Sequence, residues 1–219
     1  MLTLTFIQKL AVWSVPVLLA ITIHEAAHAF VAYRCGDSTA KMLGRLSINP
    51  IKHIDLIGSI VLPIVVALLS QFQFVFGYAK PVPINWNHLR NPRRDMALVA
   101  AAGPVSNLIM AILWACTFKL STSLHPETSV PALFLLLTSQ AGIIINLMLA
   151  FLNLIPIPPL DGSRILASFL SSKLRQRYLV IEPFGFIILL VLLITGVLQL
   201  IIMPLMNSAI HFIGTVFNL

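Results

Sequence analysis

His24-Glu25-Ala26-Ala27-His28 places two histidines four residues apart with a glutamate directly after the first. On a helix this spacing projects both imidazoles from one face, a turn apart, so both can reach a single metal ion. Glu25 lies about 100° around the helix from His24, outside direct ligation but beside a metal-bound water that it could deprotonate. The competing reading is a solvated helix surface that matches by chance. Context weakens it, because these three are the only ionisable side chains between Leu10 and Tyr33. An unpaired charge at membrane depth costs about 2.5–3.5 kcal/mol, so something must compensate for them.

A catalytic zinc usually takes three protein ligands and a water, so a third donor is needed. Asp161 stands out. Asn153-Leu-Ile-Pro-Ile-Pro-Pro-Leu-Asp161-Gly162 interrupts an apolar helix with three prolines and then presents a carboxylate. Such non-helical backbone at membrane depth must line a cavity or be buried in protein. The alternative is an ordinary helix-ending loop with Asp161 as the N-cap of a following helix.

The elements that must position these groups are set by composition. The chain has 219 residues, of which 58% are hydrophobic and 10% charged, with a mean hydropathy of +0.97. These values exclude a soluble globular domain and indicate an all-α polytopic membrane protein, with residues 1–219 as one membrane-embedded domain. Apolar runs occupy 5–33, 54–77, 96–120, 130–155 and 184–203, with a weaker one at 205–219, which gives about 4–6 transmembrane helices. Cys35-Gly36-Asp37 reads as a helix stop, and 37–50 then alternates loosely. Lys80-Pro81-Val82-Pro83-Ile84-Asn85 cannot be helical, since its prolines restrict the residues before them and remove two donors. A re-entrant or short β-strand element is therefore expected between the first helix and the third run. Residues 163–178 combine helical apolar spacing with a basic side and suggest an interfacial helix.

Net charge is +7, but Lys and Arg cluster in connecting stretches without interleaved aromatics, which favours anionic lipid headgroups over nucleic acid. Cys35 and Cys116 imply no disulfide framework. Ala27-His28-Ala29 loosely mimics a signal-peptide cleavage site, yet Lys9 alone makes a thin basic region and His24 and Glu25 sit where such a peptide is apolar. Gly103-Pro104 with Asn107 reads as close helix packing with a polar contact, outside the catalytic set. His53, His88, His125 and His211 lie near interfaces and are not expected to be ligands.

HEAAH in a first transmembrane run and NLIPIPPLDG in a later one resemble the site-2 protease family of intramembrane zinc metalloproteases. Residues 44–58, Ala79–Asn85, Arg93-Arg94-Asp95 and Ala102–Asn107 are similar to its compact prokaryotic branch, without PDZ or CBS domains. The resemblance implies one catalytic zinc held by His24, His28 and Asp161, Glu25 as general base, and Asn153 as a polar residue facing substrate or oxyanion. It further implies a transmembrane protein or peptide substrate and a bacterial inner membrane. A membrane metal-binding or transport protein and an inactive scaffold relative are the rival classes; transport predicts a succession of ionisable residues through the bilayer, whereas one cluster stands here at one depth.

Convergence of the three ligands constrains topology. If all four runs from 5 to 155 crossed once, the His-bearing and Asp-bearing ends would fall on opposite faces. Run 54–77, with Gly58 and Pro63 and basic flanks, is the one expected not to cross as a simple span. The positive-inside rule then puts those flanks in the cytoplasm and the site nearer that face.

Overall fold

A computed structural model describes residues 4–52 and 80–219, and the described part is helical with no strand. Helix α1 (Phe6–Arg34) opens on a reciprocal cap, in which Thr5 N–H donates to Gln8 Oε1 at 2.9 Å and Gln8 N–H donates to Thr5 Oγ1 at 3.3 Å. It ends where the sequence placed a stop. Asp37 N–H donates to Ala32 O and Gly36 N–H to Tyr33 O, the paired bonds of a Schellman turn, with Gly36 at φ +113°. That left-handed conformation is open to glycine and strained for other residues.

A single short turn, α2 (Thr39–Met42), follows. The strand expected between 37 and 50 is therefore not formed: after Asp37 the backbone closes local bonds, such as Arg45 N–H to Ala40 O at 2.8 Å, and has no ladder partner among the described residues. Residues 80–85 are non-helical as their prolines require, but they too pair with side chains instead of a strand. The expectation for run 54–77 lies outside the described residues. The chain nevertheless leaves and returns at one end of the bundle, since Arg90 N–H donates to Cys35 O at 3.0 Å.

Helix α3 (Pro92–Thr122) starts with Pro92 in its first turn and Asn91 N–H bonded to Asp95 Oδ2 at 2.8 Å. Helix α4 (Val130–Leu154) begins at Ser129, whose hydroxyl accepts from Ala132 N–H, and stops before the prolines of 156–159. Helices α1, α3 and α4 pack together as alternating antiparallel neighbours. Successive contacts run oppositely along each pair: His28 meets Val99 and His24 meets Asn107 between α1 and α3, while Asn107 meets Asn146 and Trp114 covers Gly142 between α3 and α4. Small residues line these seams, with Ala20, Ala111, Ala115 and Ala150 fully buried, which allows the close approach that membrane helices need when no hydrophobic effect drives them together.

Beyond the prolines the expected interfacial helix over 163–178 is divided. Helix α5 (Asp161–Phe169) ends at Leu170, whose ψ of 149° breaks the ladder, and α6 (Ser172–Leu179) restarts. The apolar run 184–203 is broken as well: α7 (Gly185–Ile194) stops before Gly196 at φ +76°, and α8 (Val197–Phe217) absorbs the weak run 205–219. Among the described residues, five helical stretches are long and apolar enough to cross a membrane: Phe6–Arg34, Pro92–Thr122, Val130–Leu154, Ser172–Ile194 and Val197–Phe217. Leu198, Ile202, Met206 and Ile213 of α8 join Ala111, Ala115, Ile143 and Leu147 in the main apolar core.

Candidate metal centre

His24 and His28 are both buried, on the face of α1 that meets α3. Their Nε2 atoms lie 3.1 Å apart. Asp161, the first residue of α5, brings Oδ2 to 3.2 Å from His24 Nε2 and 3.3 Å from His28 Nε2. Three donor atoms thus form a nearly equilateral triangle. Tetrahedral ligands at zinc–ligand distances of about 2.0–2.1 Å stand roughly 3.3 Å from one another. The observed edges match that spacing.

The surroundings also fit a cation. His28 Nδ1 faces the carbonyl of Val99 at 2.7 Å and must donate to it, so in the neutral imidazole Nε2 presents its lone pair to the cluster. Asp161 Oδ2 is buried without a hydrogen-bond partner. A carboxylate oxygen and imidazole lone pairs aimed at each other repel unless a positive centre lies among them. His24, His28 and Asp161 are the one group among the described residues whose donors converge in this way.

Two glycines make the convergence possible. A Cβ on Gly103 of α3 would fall 2.4 Å from His28 Nε2 and 2.5 Å from His24 Cε1, so the helix passes the imidazoles with no room for a methyl group. A Cβ on Gly162 would fall 2.2 Å from Leu154 O; glycine after Asp161 lets α5 start against the end of α4 and bring the carboxylate to the histidines. Tyr178 Oη fixes the intervening proline loop by donating to Pro156 O at 2.6 Å.

Glu25 points to a different partner. Val82 N–H donates to its Oε2 at 2.8 Å. Val82 is buried beside Ala29 and Ala40, and prolines on either side remove the neighbouring backbone donors, so this one N–H meets the carboxylate. The same stretch is fastened by Asp37, which accepts from Asn85 N–H at 2.8 Å and from Thr39 N–H and Oγ1. Burial alone would raise the Asp37 pKa, but these bonds, with His88 nearby, outweigh it and hold the carboxyl below its ordinary value.

Asn153 stands on the last turn of α4, its Nδ2 donating to Leu149 O at 2.9 Å, and it is not one of the converging donors. His88 lies 3.5 Å from Asp37 and His125 3.2 Å from Glu127; neither they nor His211 join the cluster, and His53 lies outside the described residues. Asn107, read from sequence as a polar contact between helices, places Oδ1 2.6 Å from His24 Nδ1. The Val82 N–H and Asn146 also escape a sequence reading. For Asn146 a signal existed, an amide flanked by apolar residues in the middle of a hydrophobic run.

Comparison with known proteins identifies the family of the chain. A family model described as peptidase family M50 matches residues 122–195, which include α4, Asp161 and α5 to α7. A Bacillus subtilis protein provisionally named zinc metalloprotease YwhC is 37% identical over 200 residues, covering 89% of this chain and 85% of that protein. Provisionally named zinc metalloproteases Rip2 of Mycolicibacterium smegmatis and Mycobacterium tuberculosis are 31% and 29% identical, each alignment covering 89% of this chain and 69% of the relative. No solved structure matches the chain. With its apolar helices and its histidine–aspartate cluster, the chain is an integral membrane metalloprotease and belongs to peptidase family M50, the site-2 protease family.

Proposed function

We propose that this protein hydrolyses a peptide bond in or beside a transmembrane segment of a membrane-protein substrate, with His24, His28 and Asp161 holding one zinc ion. Bound zinc would polarise the scissile carbonyl and acidify a water. Glu25 takes the proton from that water and returns it to the leaving amine. The Val82 N–H holds one carboxylate oxygen of Glu25 and so fixes the orientation of the other. A helical peptide bond is shielded by its own hydrogen bonds, so the substrate must unwind locally; Asn153, eight residues before Asp161, steadies the opened strand or the developing oxyanion.

The observation that carries this reading is the triangle of donor atoms among apolar helices, with Glu25 next in sequence to one of its vertices. Orientation follows from charge. Of the 14 Lys and Arg residues, only Lys9 and Lys119 lie away from the end of the bundle that α1 reaches, α3 leaves and α4 regains. The positive-inside rule makes that end cytoplasmic, in a bacterial inner membrane, and its basic residues suit anionic headgroups.

The test compares membrane proteomes of cells carrying the natural chain or Glu25→Gln. Fragments of a membrane protein that appear only with the natural chain are expected; identical proteomes would refute the hydrolytic assignment.

A further inference from the structure

Asn107 and Asn146 are fully buried amides inside two apolar helices, α3 and α4. Withdrawing an amide from water without partners costs at least about 1–3 kcal/mol, so their hydrogen bonds are expected to be complete and directional. They form a chain that ends at the metal centre. Asn146 Nδ2 donates to Gly142 O at 2.9 Å within α4. This turns Asn146 Oδ1 toward α3, where it accepts from Asn107 Nδ2 at 3.0 Å. The other Asn107 Nδ2 hydrogen points to Ala20 O of α1 at 3.3 Å. Asn107 Oδ1 is left facing His24 Nδ1 at 2.6 Å.

Each link forbids the reverse arrangement. If the Asn107 amide turned over, its oxygen would oppose two acceptors, Ala20 O and Asn146 Oδ1. If Asn146 turned over, its oxygen would oppose Gly142 O. An amide oxygen cannot donate, so His24 Nδ1 carries the hydrogen, and in the neutral imidazole that ligates a metal Nε2 carries the lone pair. His28 reaches the same state through the Val99 carbonyl, a backbone group. His24 depends on a side chain.

We propose that Asn107, locked by Asn146, is a positioning residue that commits His24 to the Nδ1–H tautomer and thereby keeps Nε2 available as a metal ligand. This rests on the reading of His24, His28 and Asp161 as the metal site. Partners of this kind behind a ligating histidine typically change metal affinity by about 10- to 100-fold when removed.

The test is a zinc-affinity titration of the purified full chain in detergent against a chromophoric chelator, with helix content and melting of each metal-free variant recorded beside it. Asn107→Leu removes the acceptor and should weaken zinc binding by about 10- to 100-fold. Asn107→Asp keeps an acceptor opposite Nδ1, although its second oxygen then faces Ala20 O and Asn146 Oδ1, and should lose clearly less zinc affinity than Asn107→Leu. Asn146→Leu leaves only Ala20 O to oppose turning of the Asn107 amide and should give a smaller loss. It also carries the test if Asn107→Leu does not fold. Equal affinity in the natural chain, Asn107→Leu and Asn146→Leu would overturn the inference. An equal loss in Asn107→Leu and Asn107→Asp would also overturn it, by showing a packing role alone. Failure of the natural chain to bind zinc would overturn the metal reading itself, and this inference with it.

Discussion

Replacing Gly103 by alanine should disable the centre without touching a ligand. The added Cβ would lie 2.4 Å from His28 Nε2 and 2.5–2.6 Å from His24 Cε1 and Nε2. Ordinary contacts begin near 3.4 Å, so the imidazoles must retreat by about 1 Å, whereas metal–ligand distances tolerate about ±0.2 Å. Without metal, the histidines can relieve the clash by turning. With metal they cannot, so the strain falls mainly on the loaded state. Overpacking of this kind costs about 1–3 kcal/mol, equivalent to roughly a 5- to 150-fold loss of zinc affinity. The assay is chelator-competition titration of Gly103→Ala beside Gly214→Ala, a control in α8 where an added Cβ meets nothing within 4 Å. Unchanged zinc affinity in Gly103→Ala would refute the placement of α3 against the ligand atoms.

Three further outcomes are expected. Glu25→Gln should retain zinc while hydrolysis of a membrane substrate falls by about 100- to 10,000-fold, measured by the rate of fragment release. Asp37→Asn should be less stable near pH 6 by about 1–3 kcal/mol, because the Thr39 and Asn85 donors lose a full acceptor. Since the folded Asp37 pKa is lowered, its contribution is present above the unfolded value of about 3.9 and lost as pH falls through the folded value. Thermal melts should therefore converge toward pH 3, and a difference that stays constant with pH would contradict this. In a background with Cys35 and Cys116 replaced by serine, cysteines at Lys41 and Lys173 should label from one membrane face and at Glu127 from the other. Labelling of 41 and 173 from opposite faces would contradict the shared end of the bundle.

What the sequence made legible was local. His24, Glu25 and His28 were readable because helix geometry alone fixes their relation, and Asp161 because prolines and a glycine mark a break that apolar packing would otherwise avoid. The stop at Gly36 was readable for the same reason. The break at Gly196 was not, because the apolar residues continue through it and only a left-handed φ in the fold interrupts them. The division of 163–178 at Leu170 was hidden likewise, since helical spacing persists across it. Strand character over 37–50 was inferred from alternation, yet strands need partners, and the partners that 80–85 finds are the Glu25 and Asp37 carboxylates. Asn107, Asn146 and the Val82 N–H acquire their roles only when three helices and a proline-framed segment meet. The sequence marks the two amides as polar positions in apolar runs, but spacing along one element does not name their partners.

The central claim is tested most directly by zinc analysis and zinc-edge X-ray absorption on the purified chain and on His24→Ala, His28→Ala and Asp161→Ala. The account predicts about one zinc per natural chain, with two imidazoles and oxygen at about 2.0–2.2 Å and no sulfur, and loss of the metal in each variant. Full zinc occupancy in Asp161→Ala, or a sulfur ligand from Cys35 or Cys116, would contradict it.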